Sequence, residues 1–141
     1  MLRKATAEWN GDLKKGKGTI STTSGVLSKT QYSFNTRFEE GVGTNPEELV
    51  AAAHAACFSM ACSAELGKAG ITPESIQTQA TLTLERLDTG WTVTQIHLEV
   101  NARIPGADQT AFEAAANAAK AGCPISRLLN TKITMNAQLQ N

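Results

Sequence analysis

From Asn45 to Met60 the chain reads Asn-Pro-Glu-Glu-Leu-Val-Ala-Ala-Ala-His-Ala-Ala-Cys-Phe-Ser-Met, and no other stretch restricts the fold as much. Asn45 suits an N-cap, and Pro46 suits the first helical position, where a missing N–H costs nothing. Glu47 and Glu48 lie in the first turn, where the dipole favours anions. From Leu49 to Ala64, sixteen residues pass without an Asp, Glu, Lys or Arg, and apolar side chains occupy nearly the whole helical wheel. A helix of that kind is expected to be buried on most sides. The uncharged run spans only about 24 Å, short of a bilayer crossing, so the expectation is the central helix of a soluble core. A thiol, Cys57, and an imidazole, His54, ride inside it.

The bulk composition removes several function classes. At 141 residues the chain is expected to form one domain, 1–141, and its thirteen basic and thirteen acidic residues cancel. No global field gathers nucleic acid or anionic lipid, so neither nucleic acid nor membrane is expected as a partner. Lys14-Lys15-Gly16-Lys17 reads as a solvated turn. Met1-Leu2-Arg3-Lys4 leads into a polar segment that does not resemble a signal peptide, which makes the cytoplasm the expected location. Three widely spaced cysteines do not form a disulfide scaffold, and in a reducing compartment they are structural, catalytic or redox-sensing.

Along the chain, Thr6 to Trp9 and Gly18 to Thr23 read as strands joined through the Asn10-Gly11 turn. The segment Gly11 to Lys17 imitates a phosphate-binding loop. However, Gly18 stands where Ser or Thr would hold magnesium, and no helical pattern follows. Tyr32, Phe34, Thr36 and Phe38 alternate with polar residues as in a half-buried strand, which puts Arg37 on the polar face. The central helix is expected to run to about Lys68 and to end near Gly70. Thr78 to Leu87 alternates, and Asp88-Thr89-Gly90 turns the chain back. Apolar parity then changes from Trp91 and Val93 to Ile96, Leu98 and Val100, which requires a bulge near Thr94-Gln95. His97 falls on the polar face. Thr110-Ala111-Phe112-Glu113 reads as a capping box that opens a helix to about Lys120. Cys123-Pro124 starts a short helix through Leu129, and Ile133 to Leu139 alternates as a last strand. The expected class is α+β with antiparallel sheet.

The thiols differ in setting. Cys57 in an alanine-rich helix reads as a small hydrophobe before it reads as a nucleophile. Cys62 lies about 140° around the helix from Cys57 and reads as structural. Cys123 sits where an N-cap would be, with Pro124 after it, so unpaired N–H groups would stabilise its thiolate. On dipole grounds Cys123 is the better nucleophile, and Cys57 would need an outside cation. An arginine within about 4–6 Å would lower a thiol pKa by about 1–3 units, and Arg37 is the candidate. Its planar fork can hold a carboxylate and still turn an edge toward sulfur. Glu47 lies about 80° from Cys57 around the helix axis and Glu48 about 180° away, so Glu47 is the better partner and Glu48 the capping residue. His54, about 60° from Cys57, reads as a neutral core histidine before it reads as a base.

Asn35-Thr36-Arg37-Phe38, Gly43 to Leu49, Ala53 to Met60 and Ala121-Gly122-Cys123-Pro124 together resemble the OsmC/Ohr family of thiol peroxidases. Glu8-Trp9-Asn10-Gly11-Asp12 leans toward the OsmC branch. The resemblance implies an intertwined homodimer of antiparallel sheets around central helices, with sites at the subunit interface. It also implies Cys57 as peroxidatic thiol, Cys123 as resolving thiol, Arg37 as the cation beside the thiolate and Glu47 as its carboxylate partner. This order of roles is opposite to the one favoured by the dipole. The implied substrates are organic hydroperoxides and hydrogen peroxide, the implied reductant is a dithiol such as a lipoylated protein, and no metal or other cofactor is implied. The competing class is a redox-sensing or small-molecule-binding module without multiple turnover. A cysteine hydrolase with His54 as base lacks a recognisable group to orient the imidazole.

Overall fold

The structure, a computed structural model, describes residues 1–140. It divides into two compact units, Met1 to Leu49 and Val50 onward. In the first, β1 (Ala5–Asn10), β2 (Lys17–Thr22) and β3 (Thr30–Tyr32) form an antiparallel sheet in that order. Trp9, Gly18 and Tyr32 occupy one row across it, with the two rings 5.5 Å apart. A Cβ on Gly18 would meet the Tyr32 ring at 2.3 Å, so this glycine serves aromatic packing and not a phosphate. Lys17 and Gly18 lie in β2, which disposes of the loop imitation.

The segment expected as a strand through Phe38 is instead a short helix, α1 (Phe34–Phe38). Ser33 and Thr36 form a reciprocal capping box: Thr36 N–H donates to Ser33 Oγ at 3.3 Å, and Ser33 N–H to Thr36 Oγ1 at 2.8 Å. Phe34 and Phe38, four residues apart, pack as tilted rings with centroids 5.0 Å apart. An alternation of two also places residues four apart on one helical face, so the apolar pattern fits both structures and the cap decides between them.

Helix α2 (Pro46–Lys68) begins in the first unit and continues through the second. Asn45 caps it, accepting from Glu48 N–H at 2.7 Å, and Thr44 Oγ1 donates to the Glu48 carboxylate at 2.7 Å. At 23 residues it is long and apolar enough to cross a membrane by length and composition, because its charged ends are helical too. Burial on most sides is not found in the single chain. Only His54, Phe58, Cys62 and Leu66 are buried, a stripe with a spacing of four, while Met60 stands 77% exposed.

In the second unit, β4 (Ser75–Leu87) and β5 (Gly90–Arg103) form an antiparallel hairpin. Thr83 faces Gln95 and Leu84 faces Val93, so Thr94 is the extra residue that the parity change required. Next come α3 (Gln109–Gly122), α4 (Pro124–Leu128) and β6 (Lys132–Gln140). The α3 cap is Asp108, whose carboxylate accepts from Ala111 N–H, so the helix starts before Thr110; it also runs past Lys120 to Gly122. β6 pairs parallel with β5, because the two intervening helices bring the chain back to the starting edge; the rest of the sheet is antiparallel. The α2 stripe, the inward face of β5 (Ile96, Leu98, Val100, Ala102) and the Phe112, Ala115, Ala116, Ala119 face of α3 make one core. His97 lies on the polar face, with Nδ1 2.7 Å from Thr134 Oγ1.

Candidate active site

The first unit holds a charged pair. Arg37, in the last turn of α1, donates from Nε at 2.9 Å and from Nη2 at 2.7 Å to Glu47 Oε1. Nε also reaches Oε2 at 3.2 Å. The fork expected from the residue types is therefore present, and Nη1 takes no part in it. Arg37 is 38% exposed and Glu47 14%, so solvent screening limits the pair to about 1 kcal/mol or less of stability. Its effect is to fix the direction of the guanidinium. A pocket of about 250 Å³ in the same unit is lined by Trp9, Tyr32, Phe34, Phe38 and Arg37 itself.

The second unit holds all three cysteines. Cys57 is half-buried on α2, while Cys123 is 1% exposed at the junction of α3 and α4. Both are free thiols, and Cys123 is near enough to Cys57 to act on its titration. Cys123 is the N-cap of α4: Ser126 N–H donates to its sulfur at 3.3 Å, and Pro124 fills the first helical position. Burial pushes the Cys57 thiol up. The Ile125 N–H pulls it partly back, and the neighbouring Cys123 pushes it up again. Within the second unit no described residue supplies a cation to oppose this rise. Cys62, fully buried, is pushed up to about 11 by burial and then by the field of Glu65.

His54 is the core histidine expected, fully buried, with burial lowering its pKa. Its Nε2 lies 2.7 Å from Ser126 Oγ, and that oxygen lies 3.1 Å from Cys123 Sγ. Sequence reasoning passed over Ser126. The signal was available in the spacing Cys123-x-x-Ser126, which is that of an N-cap and the third helical residue. His54 Nδ1 is buried without a hydrogen-bond partner, so among the described residues nothing holds that nitrogen as the third group of a hydrolase would. Among the described residues, no group of three or more His, Cys, Asp or Glu could hold a metal ion. Arg37 meets Glu47 in one unit, and Cys57 meets Cys123 in the other.

Residues 39–138 match the family model described as OsmC-like protein. The chain is 52% identical over 139 residues to Peroxiredoxin OsmC of Escherichia coli (strain K12), covering 99% of this chain and 97% of the relative. The chain belongs to the OsmC family. A more distant relative is Organic hydroperoxide resistance protein OhrB of Bacillus subtilis (strain 168). It is 31% identical over 124 residues, which is 87% of this chain and 89% of that protein. The crystal structure of an organic hydroperoxide resistance protein OsmC from Legionella pneumophila superposes with a TM-score of 0.69 at 25% identity, covering 100% of this chain and 99% of the other. The OsmC fold expected from the sequence motifs is thus the observed one.

Proposed function

We propose that this OsmC-family chain is a thiol-dependent peroxidase, reducing organic hydroperoxides, and hydrogen peroxide as well, with Cys57 as peroxidatic and Cys123 as resolving thiol. The observation that carries the reading is the proximity of two free thiols, one half-buried and reachable from solvent, the other enclosed and acting on the titration of the first. The Cys57 thiolate attacks one peroxide oxygen, the O–O bond breaks, and the alkoxide leaves as alcohol after taking a proton. The resulting sulfenic acid condenses with Cys123, releasing water and forming a disulfide, which an external dithiol reduces by exchange.

The reading also needs a cation, since burial and Cys123 hold Cys57 toward its thiol form. We assign this role to Arg37, clamped by Glu47 with Nη1 left out of the clamp. The aromatic pocket beside Arg37 suits the apolar part of an organic hydroperoxide. The apolar side of α2 outside the buried stripe, including Met60, suits coverage by a second copy in a homodimer. The reductant fitting this chemistry is a dithiol, lipoyl groups included, and the setting is the cytoplasm.

The test is to add less than one equivalent of cumene hydroperoxide to the reduced protein and map the products by mass spectrometry. A Cys57–Cys123 crosslink with Cys62 free is expected, and repeated turnover with dihydrolipoamide excludes a one-shot sensor. A crosslink through Cys62, or none, overturns the reading.

A further inference from the structure

Cys123 poses a problem that Cys57 does not. Disulfide formation requires its sulfur to lose a proton, yet at 1% exposure it has almost no water to receive one. Two side chains outside the roles assigned above continue from it into the core: Ser126 Oγ at 3.1 Å from Cys123 Sγ, then His54 Nε2 at 2.7 Å from Ser126 Oγ. Helix α2 supplies both ends of this chain of contacts, Cys57 and His54, three residues apart, and the start of α4 supplies the middle. His54 leaves Nδ1 buried and unpartnered, which costs about 1–3 kcal/mol and makes an imidazole a poor choice for mere filling. Resting on the peroxidase reading, we propose that Ser126 and His54 form a proton relay that takes the Cys123 thiol proton during disulfide formation.

In the relay, Cys123 S–H gives its proton to Ser126 Oγ as the serine hydroxyl passes its own to His54 Nε2. The Cys123 sulfur lone pair then forms the S–S bond to Cys57 as the Cys57 S–O bond breaks. Hydroxide departs, and the imidazolium returns the proton through the same hydroxyl, so water leaves and the disulfide remains with no net charge. The titratable groups facing this chain are the Cys123 thiol and, beyond it, that of Cys57. No carboxylate or ammonium contributes to the shift at His54, where burial favours the neutral imidazole able to accept. Ser126 touches a reacting atom and is a catalytic residue on this proposal; His54 acts through it and is a positioning residue.

The experiment follows the two steps separately in the full chain, by rapid mixing with cumene hydroperoxide and acid quench. Ser126→Ala is expected to leave sulfenic acid formation within about twofold and to slow disulfide formation about a hundredfold, the usual worth of a positioned base. Ser126→Thr, which keeps the hydroxyl, is expected to restore the rate. Disulfide formation in the unaltered protein is expected to be nearly flat above about pH 6.5, whereas in Ser126→Ala it should rise about tenfold per pH unit as solvent base takes over. His54→Phe should reproduce that profile, and the double variant should be no slower than either single one. Disulfide formation at the unaltered rate and pH profile in Ser126→Ala overturns the relay, as does equal slowing of both steps or a threonine variant as slow as alanine. A missing Cys57–Cys123 crosslink in the unaltered protein is instead the failure of the peroxidase reading.

Discussion

Cys57 and Cys62 lie five residues apart on one helix, and both thiols are pushed up by burial. They differ in what faces them. Cys57 meets a second thiol and the Ile125 N–H, and it is half-buried; Cys62 sits fully enclosed in the apolar core, with only the field of Glu65 acting on it. Neither is activated by the helix it stands on. Any difference in reactivity between the two therefore has to come from other segments of chain, and a rotation of about 140° decides which segments are met.

The strongest way to break this contrast is to remove each sulfur in turn. Cys57→Ser is expected to lower peroxide consumption by more than about a thousandfold, since it removes the nucleophile, whereas Cys62→Ala should change it by less than about twofold. A coupled assay with dihydrolipoamide measures both, and similar losses would abolish the distinction. Stability should order the two sites the other way. Cys62→Ser places a hydroxyl without a partner in the core and should cost about 1–3 kcal/mol in urea unfolding, while Cys57→Ser should cost less than about 1 kcal/mol. The contrast sharpens at Arg37. Arg37→Lys loses the fork that holds Glu47 and should slow the reaction with peroxide about tenfold, with a matching upward shift in the pH dependence of Cys57 alkylation. Unchanged kinetics there would confine Arg37 to scaffolding.

The smallest effects are in the pH dependence of stability. At His54 the folded state binds fewer protons than the unfolded chain, because burial lowers the folded pKa. Stability should fall as pH drops below 6.5. At Cys57 and Cys62 the folded state holds protons longer, so stability should fall again as pH rises above 9, continuing for Cys62 to about 11. Each group limits the slope to about 1.4 kcal/mol per pH unit, and urea titrations across the range measure it. A profile flat on the acid side would mean that His54 is hydrated and not enclosed.

What could be read from the chain depended on whether a pattern had one structural meaning. Asn45-Pro46-Glu47-Glu48 announces a helix start in four independent ways, and the parity change beyond Val93 admits only a bulge, found at Thr94. Glu47 could be preferred to Glu48 because helical angles separate them, and the Arg37–Glu47 fork is present. The spacing of Phe34 and Phe38 had two meanings, and the Ser33/Thr36 cap that resolves them is a short-range signal easily lost beside a run of aromatics. The direction of β6 leaves no mark in its alternation, since parallel and antiparallel neighbours bury the same residues. Ser126 escaped because one serine in a short helix looks like any other until a histidine 72 residues away is brought 2.7 Å from it.

Within the second unit helix α2 continues without interruption past His54 and Cys57. Such a rod keeps phase, so it tolerates no change of length between those points. One residue inserted at Ala55 would swing His54 by about 100° relative to Cys57, and one deleted would swing it as far the other way. Substitutions to leucine, methionine or alanine along its outer side leave that phase intact. Natural variation along that outer side should therefore alter letters freely and the number of letters not at all.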